Sequence, residues 1–269
     1  MRVVVSTGWF AMWGTLAVIL SAPACSAPKA APSEAPPTIA SPARASAATP
    51  SEAPSPSTAG SQTPAATTAA AIRYVAIGAS DSVGVGASDP ARGSWPSRVA
   101  ALLPAGAVYM NVGVAGSLAL QAEREQLPGA IAQHPTLVTV WLAVNDLNAT
   151  IEPASFADAL GQIVDGLVQK TGATIFVGTV PDLRAVPVYA GVDKARLLAG
   201  IEGYNDAIAA IAARSPTRVK VVDLFTGSAA LVSTGTVSPD GFHPSDEGYQ
   251  LIADRFASAM RASGVPLRA

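Results

Sequence analysis

The chain has 269 residues, with 17 Lys and Arg against 19 Asp and Glu and a formal charge of −2 at pH 7. That balance lacks the basic footprint a phosphate backbone requires, which disfavours a DNA- or RNA-binding role. Hydrophobic residues make up 49% of the chain and there is a single cysteine, so one domain of ordinary size must be held by packing, with no disulfide.

At the N-terminus Arg2 precedes an apolar run from Val3 to Leu20, followed by Ser21, Ala22, Pro23 and Ala24 and then Cys25. A positive start, an apolar stretch and a small-residue site are the order of a secretory signal peptide, assigned to residues 1–24. The junction resembles the lipobox of bacterial lipoproteins, whose cysteine is lipidated, although Ala22 and Pro23 depart from it. Lipidation at Cys25 would tether the protein to a membrane; cleavage after Ala24 without lipid would release it. An uncleaved anchor is the third reading, weakened by Ser6, Thr7, Gly8, Gly14 and Thr15 in a barely sufficient span. Residues 25–71 are almost wholly Ala, Pro, Ser and Thr. Such a segment cannot bury enough apolar surface to offset its ordering entropy, which predicts a disordered tether between the export signal and a domain at 72–269.

Within that domain short β-branched apolar runs alternate with stretches of helical spacing. The runs are Tyr74 to Ile77, Ala107 to Val112, Leu137 to Val144, Thr174 to Val180 and Val219 to Leu224. Helical periodicity covers Trp95 to Leu103, Leu118 to Ile131, Phe156 to Gln169, Lys194 to Ala213 and Glu247 to Ala262. Five runs apolar on both faces and separated by helices predict an α/β domain of three layers, a five-stranded parallel sheet between helices. Ligands of such sheets bind beyond the carboxyl ends of the strands, so the residues just after each run are the candidates for chemistry.

Four such places stand out. After the first run comes Gly78-Ala79-Ser80-Asp81-Ser82-Val83-Gly84-Val85-Gly86, where glycines permit a sharp turn that holds a serine hydroxyl clear of the sheet. Ser80 and Ser82 each have a glycine four positions later, and a strand-ending glycine stands two positions before Ser80. After the second run is Asn111-Val112-Gly113-Val114-Ala115-Gly116-Ser117, and after the third is Asn145-Asp146. Near the C-terminus stands Asp240-Gly241-Phe242-His243-Pro244. A carboxylate three residues before a histidine on a turn can accept the Nδ1–H, leaving Nε2 to face a serine. The other histidine, His134, is read as an exposed loop residue. For Gly116 and Asn145 the plain alternatives are a steric turn and a helix cap.

Taken in this order, the four blocks resemble those of SGNH (GDSL-like) hydrolases, over residues 73–262. The resemblance implies the flavodoxin-like fold of that family and a serine esterase with Ser80 as nucleophile, Ser82 as its rival, and Asp240 and His243 completing a triad. The oxyanion hole would be the N–H groups of Ser80 and Gly116 with the Asn145 side chain. Three departures stand against the pattern: Ala79 where the family usually has Asp, and Ala143 and Val144 where it commonly has glycine. This chemistry needs no cofactor, and no Cys/His cluster offers a metal site. The substrate would be a small-molecule, glycan or lipid ester, and Trp95, Trp141, Tyr109, Tyr189 and Phe242 are each pocket or core residues. Residues 181–192 are read as a rim loop over the site. Acyl transfer with the same triad and a non-catalytic glycan- or lipid-binding module are the competing functions. Nothing in the sequence sets an oligomeric state.

Overall fold

The computed structural model describes residues 71–269. The signal peptide, tether and lipidation at Cys25 expected from the sequence lie outside the described residues, among which no helix is long and apolar enough to cross a membrane. In chain order the elements are β1 (Arg73–Gly78), α1 (Pro90–Gly93), α2 (Trp95–Ala101), β2 (Val108–Asn111), α3 (Ala119–Glu125), α4 (Leu127–Ala132), β3 (Leu137–Trp141) and α5 (Val144–Asn148). Then follow α6 (Pro153–Lys170), β4 (Thr174–Gly178), α7 (Lys194–Ala213), β5 (Val219–Val222) and α8 (Asp246–Ala262), with 3₁₀ turns at Leu183–Ala185, Pro187–Tyr189 and Ser228–Leu231.

All four strand pairings are parallel, in the order β2-β1-β3-β4-β5. Side chains alternate across the sheet, as the two-residue period of a strand requires. Val75, Ile77, Val138, Val140, Ile175 and Val177 enter one core with α3, α4, α6 and α7. Tyr74, Ala76, Phe176 and Val222 enter the other, packed by α2 and α8. The three-layer α/β/α architecture expected from the sequence is therefore the one observed. In the second core Trp95 stacks on Phe256 at 4.1 Å between ring centroids and meets Trp141 edge-on at 5.9 Å, geometries that aromatic quadrupoles favour.

Three local differences have physical reasons. The periodic stretch from Leu118 to Ile131 is two helices, because Pro128 fits only the first turn of a helix and so starts α4 afresh after Gln126. The third apolar run does not continue as strand to Val144: β3 stops at Trp141, Ala143 takes φ +90°, and α5 begins at Val144. Finally β2 is a sheet edge, so Val108 and Met110, expected to be covered, face solvent at 59% and 40% exposure.

Candidate active site

The carboxyl ends of β1, β3, β4 and β5 and the loop before α8 converge on one cavity of about 150 Å³, with Ser80, Asn145 and His243 in its lining. Ser80 sits two residues beyond β1 on a tight turn in which Ser82 N–H donates to Ala79 O and Val85 N–H to Ser80 O. Two glycines make that turn possible. A methyl group at Gly78 would lie 1.8 Å from Ser82 Oγ, and Gly84 has φ +84° with the carbonyl of Pro90 2.5 Å from where its Cβ would be. The glycine four positions after Ser80 thus answers both a conformational and a steric demand.

His243 Nε2 lies 2.9 Å from Ser80 Oγ, and His243 Nδ1 lies 2.6 Å from Asp240 Oδ2. The other oxygen of Asp240 accepts from Ser238 Oγ at 2.8 Å and from the backbone N–H groups of Phe242 and His243 at 2.8 and 2.9 Å. Burial alone would raise the Asp240 carboxyl. The hydrogen bonds, led by that from His243, outweigh burial and hold it well below the ordinary carboxylate range. The loop carrying this pair is itself pinned, with Ser238 N–H donating to His243 O at 2.8 Å, and Ser245 caps α8 through its hydroxyl. Phe242 packs edge-on against both the His243 ring and Tyr189.

Ser82 has different surroundings. It is fully buried, its Oγ is 3.4 Å from Asp81 Oδ1, and its side chain packs against Gly78 and Gly113. Of the two candidate serines, only Ser80 meets the imidazole.

Among the described residues, the backbone N–H groups of half-buried Ser80 and exposed Gly116 have no hydrogen-bond partner and are left open to donate. Gly116 lies in an exposed turn at φ +79° with open space where a Cβ would project. Asn145 Nδ2 donates to Ser117 O at 3.1 Å, which fixes the amide and leaves its second hydrogen free to donate. Ala143 adopts the left-handed region that favours glycine, so the departure from glycine at this point keeps the backbone shape and carries its strain.

Several supporting side chains were not singled out by motif reading. Gln126, 2% exposed, receives Gly78 N–H and donates to Gly78 O and Ser117 Oγ, each at 3.0 Å. One amide thereby ties the end of β1 to the turn after Gly116. Asp146, also 2% exposed, accepts the N–H of Ala119 with both oxygens at 3.1 and 3.2 Å, joining α5 to the start of α3; burial raises its carboxyl. Asn111 donates to Ser82 O at 2.6 Å and accepts Gly113 N–H at 2.9 Å. Gln126 follows Gln121, Glu123, Arg124 and Glu125 in the sequence, so its residue type did not mark it as buried or name its partners. Of the aromatic candidates, Trp141 and Phe242 line the cavity while Trp95 and Tyr109 belong to the core on the α2/α8 face. Residues 181, 182, 183 and 186 of the rim segment also line it. His134 is exposed at φ +48° between α4 and β3 and is not among the residues that line the cavity.

Asp81 is a further carboxyl in the lining. Desolvation pushes it up to about 6, against the lowering effects of the Ser82 N–H at 2.7 Å and the charge of His243. A carboxyl raised on folding adds stability below its unfolded value of about 3.9, and that stability is lost as pH rises through about 6. Asp81→Asn keeps an acceptor for Ser82 N–H and removes the ionisation. Because the side chain is partly open to solvent, the expected gain is about 1–2 kcal/mol at pH 7.5 and near zero at pH 4. Urea unfolding at the two pH values checks it; an equal effect at both would show that ionisation of Asp81 is not involved.

Among the described residues no group of three histidine, cysteine or carboxylate side chains converges as a metal site would require. No curated protein matches the chain by sequence. In three dimensions it is similar to a psychrotrophic esterase EstA from Pseudoalteromonas, at 16% identity and TM-score 0.56, covering 71% of this chain and 97% of that one. It is also similar to a Clostridium thermocellum family 3 carbohydrate esterase (22% identity, TM-score 0.56, 71% and 96% covered). A third similar structure is a variant of an acetyl-xylooligosaccharide esterase from Geobacillus (18% identity, TM-score 0.57, 72% and 94% covered). At these identities the likeness is one of fold. Residues 76–251, well over half of the chain and including the turns after β1, β2 and β3 and the Asp240–His243 loop, match the profile of the GDSL-like Lipase/Acylhydrolase family, and the chain belongs to that family.

Proposed function

We propose that the protein is a carboxylic ester hydrolase working through an acyl-enzyme on Ser80. The observation that carries the reading is the continuous relay from Ser80 Oγ through the imidazole to Asp240, at 2.9 and 2.6 Å, between residues 163 positions apart. His243 Nε2 takes the Ser80 proton as Oγ bonds to the acyl carbon. The resulting imidazolium returns that proton to the alkoxide as the ester C–O bond breaks, and the alcohol leaves. Water then adds to the acyl carbon, giving one proton to His243, and the acid departs as Ser80 regains its hydrogen. Asp240, held ionised by its hydrogen bonds, fixes the tautomer and stabilises the imidazolium.

The oxyanion formed at each addition would be met by the unpartnered N–H groups of Ser80 and Gly116 and the free hydrogen of Asn145. Donors already fixed before reaction contribute because they need not reorganise. Asn145→Ala is expected to lower kcat by about 10²–10³ with little change in KM, as measured by steady-state hydrolysis of p-nitrophenyl acetate. A rise in KM at constant kcat would assign Asn145 to substrate binding instead. The reading as a whole is tested by treating the full chain with a fluorophosphonate and locating the label by peptide mass spectrometry. A label on Ser80 together with ester hydrolysis supports it, whereas absence of both favours a binding module. The order of signal, tether and domain in the sequence places export within the same proposal.

A further inference from the structure

We propose that the cavity beside Ser80 is an acyl-chain pocket that selects esters of aliphatic acids carrying about six carbons beyond the acetyl unit, over acetylated sugars. This rests on Ser80 being the nucleophile. Away from the reacting groups the walls are hydrocarbon, with Leu183 after β4, Leu224, Val232 and Val237 between β5 and α8, and Leu251 and Ile252 on α8. Away from the reacting groups, the polar side chains in the lining each already hold a protein partner. Asp182 accepts from Arg184 at 2.7 and 2.9 Å, and Ser228 Oγ donates to Phe225 O and accepts Asp182 N–H, both at 2.8 Å. Arg255 is drawn to the carbonyls of Asp223 and Thr226 at 2.9 and 2.7 Å, and Thr236 Oγ1 donates to Leu231 O at 2.7 Å.

The consequence for substrates is a sharp chemical sorting. A sugar entering this space would give up water from its hydroxyls and meet mostly hydrocarbon, at a cost of about 5- to 150-fold in kcat/KM per unmatched group. A methylene entering it gains about fourfold. The gain ends when the space is full, and an apolar cavity of about 150 Å³ takes a six-carbon hydrocarbon such as benzene. The acyl group is the better occupant than the alcohol because it stays bonded to Ser80 after the first step. An alcohol lodged behind the serine would have to leave past the acyl-enzyme. The wall between β5 and α8 runs on, through the Val237–Pro244 bridge, into the loop holding Asp240 and His243, so a chain packed on it lies against the same element that carries the base.

The test is kcat/KM of the full chain on p-nitrophenyl esters from acetate to dodecanoate, with hexyl acetate and an acetylated xylooligosaccharide as further substrates. We expect a rise of at least about 50-fold from acetate to octanoate and no gain beyond it. Val232→Phe should lower the octanoate-to-acetate ratio at least about tenfold, and Leu251→Ala should move the optimum to longer chains. Fluorophosphonate labelling of each variant reports that it is folded and armed. Acetate as the best ester, faster turnover of the acetylated sugar, or hexyl acetate gaining as much as octanoate would each overturn the acyl pocket while leaving the esterase reading intact. Absence of label and of hydrolysis with every ester would instead overturn both.

Discussion

Ser80→Ala is expected to reduce kcat for p-nitrophenyl acetate by about 10⁴-fold or more and to remove fluorophosphonate labelling, while Ser82→Ala keeps both the label and turnover within about tenfold of the parent. The contrast follows from position. Ser80 Oγ is within a hydrogen bond of His243 Nε2 and borders the cavity, whereas Ser82 is fully buried with its hydroxyl directed to Asp81. Losing the Ser82 hydroxyl removes one weak contact at 3.4 Å, and its effect should appear mainly as a small loss of stability. Residual activity in Ser80→Ala would be that of fixed donors acting on a water nucleophile. Labelling retained in Ser80→Ala and lost in Ser82→Ala would reverse the assignment.

The second large effect is expected from Asp240→Asn, at about 10⁴-fold in kcat with the fold retained. An asparagine can place its carbonyl where Oδ1 now accepts from Ser238, Phe242 and His243, so the loop keeps its backbone bonds. Its NH₂ would then face His243 Nδ1, 2.6 Å from the present Oδ2, and a donor there forces Nδ1 to be the acceptor. The ring proton moves to Nε2, which then points a hydrogen at Ser80 and cannot remove one. Stopped kinetics with an unchanged thermal midpoint and an unchanged chemical-shift pattern outside the loop would carry this tautomer argument. Activity within tenfold of the parent would show that the carboxylate is dispensable. Because hydrogen bonding holds Asp240 below the ordinary carboxylate range, its own protonation should not shape the activity profile at any pH where the protein is assayed.

These expectations differ in how much of them the chain itself disclosed. The parallel sheet was legible because its evidence is local: five β-branched runs separated by helical periods leave few ways to cover both faces. The pairing of Asp240 with His243 was legible for a similar reason, since three residues on one turn bring the carboxylate to the imidazole. The end of β3 was not, because Leu142, Ala143 and Val144 are as apolar as a strand, and only the left-handed backbone at Ala143 shows where the chain turns into α5.

What the sequence determined by itself was thus the layering, the four strand-end blocks and the short-range geometry within each. Tertiary structure alone decided which serine meets the imidazole, since that depends on α8 and the β1 turn being brought together by contacts spanning the chain. Tyr249 on α8 donates to Val85 O at 2.5 Å, and Arg98 on α2 meets Asp246 at 3.3 Å. It also decided that Gln126 and Asp146 brace the strand ends and that the wall beside Ser80 is hydrocarbon. The physical reason is that turns and periods are fixed by neighbours in sequence, whereas burial, hydrogen-bond partners and cavity shape arise from side chains that meet only when the layers pack.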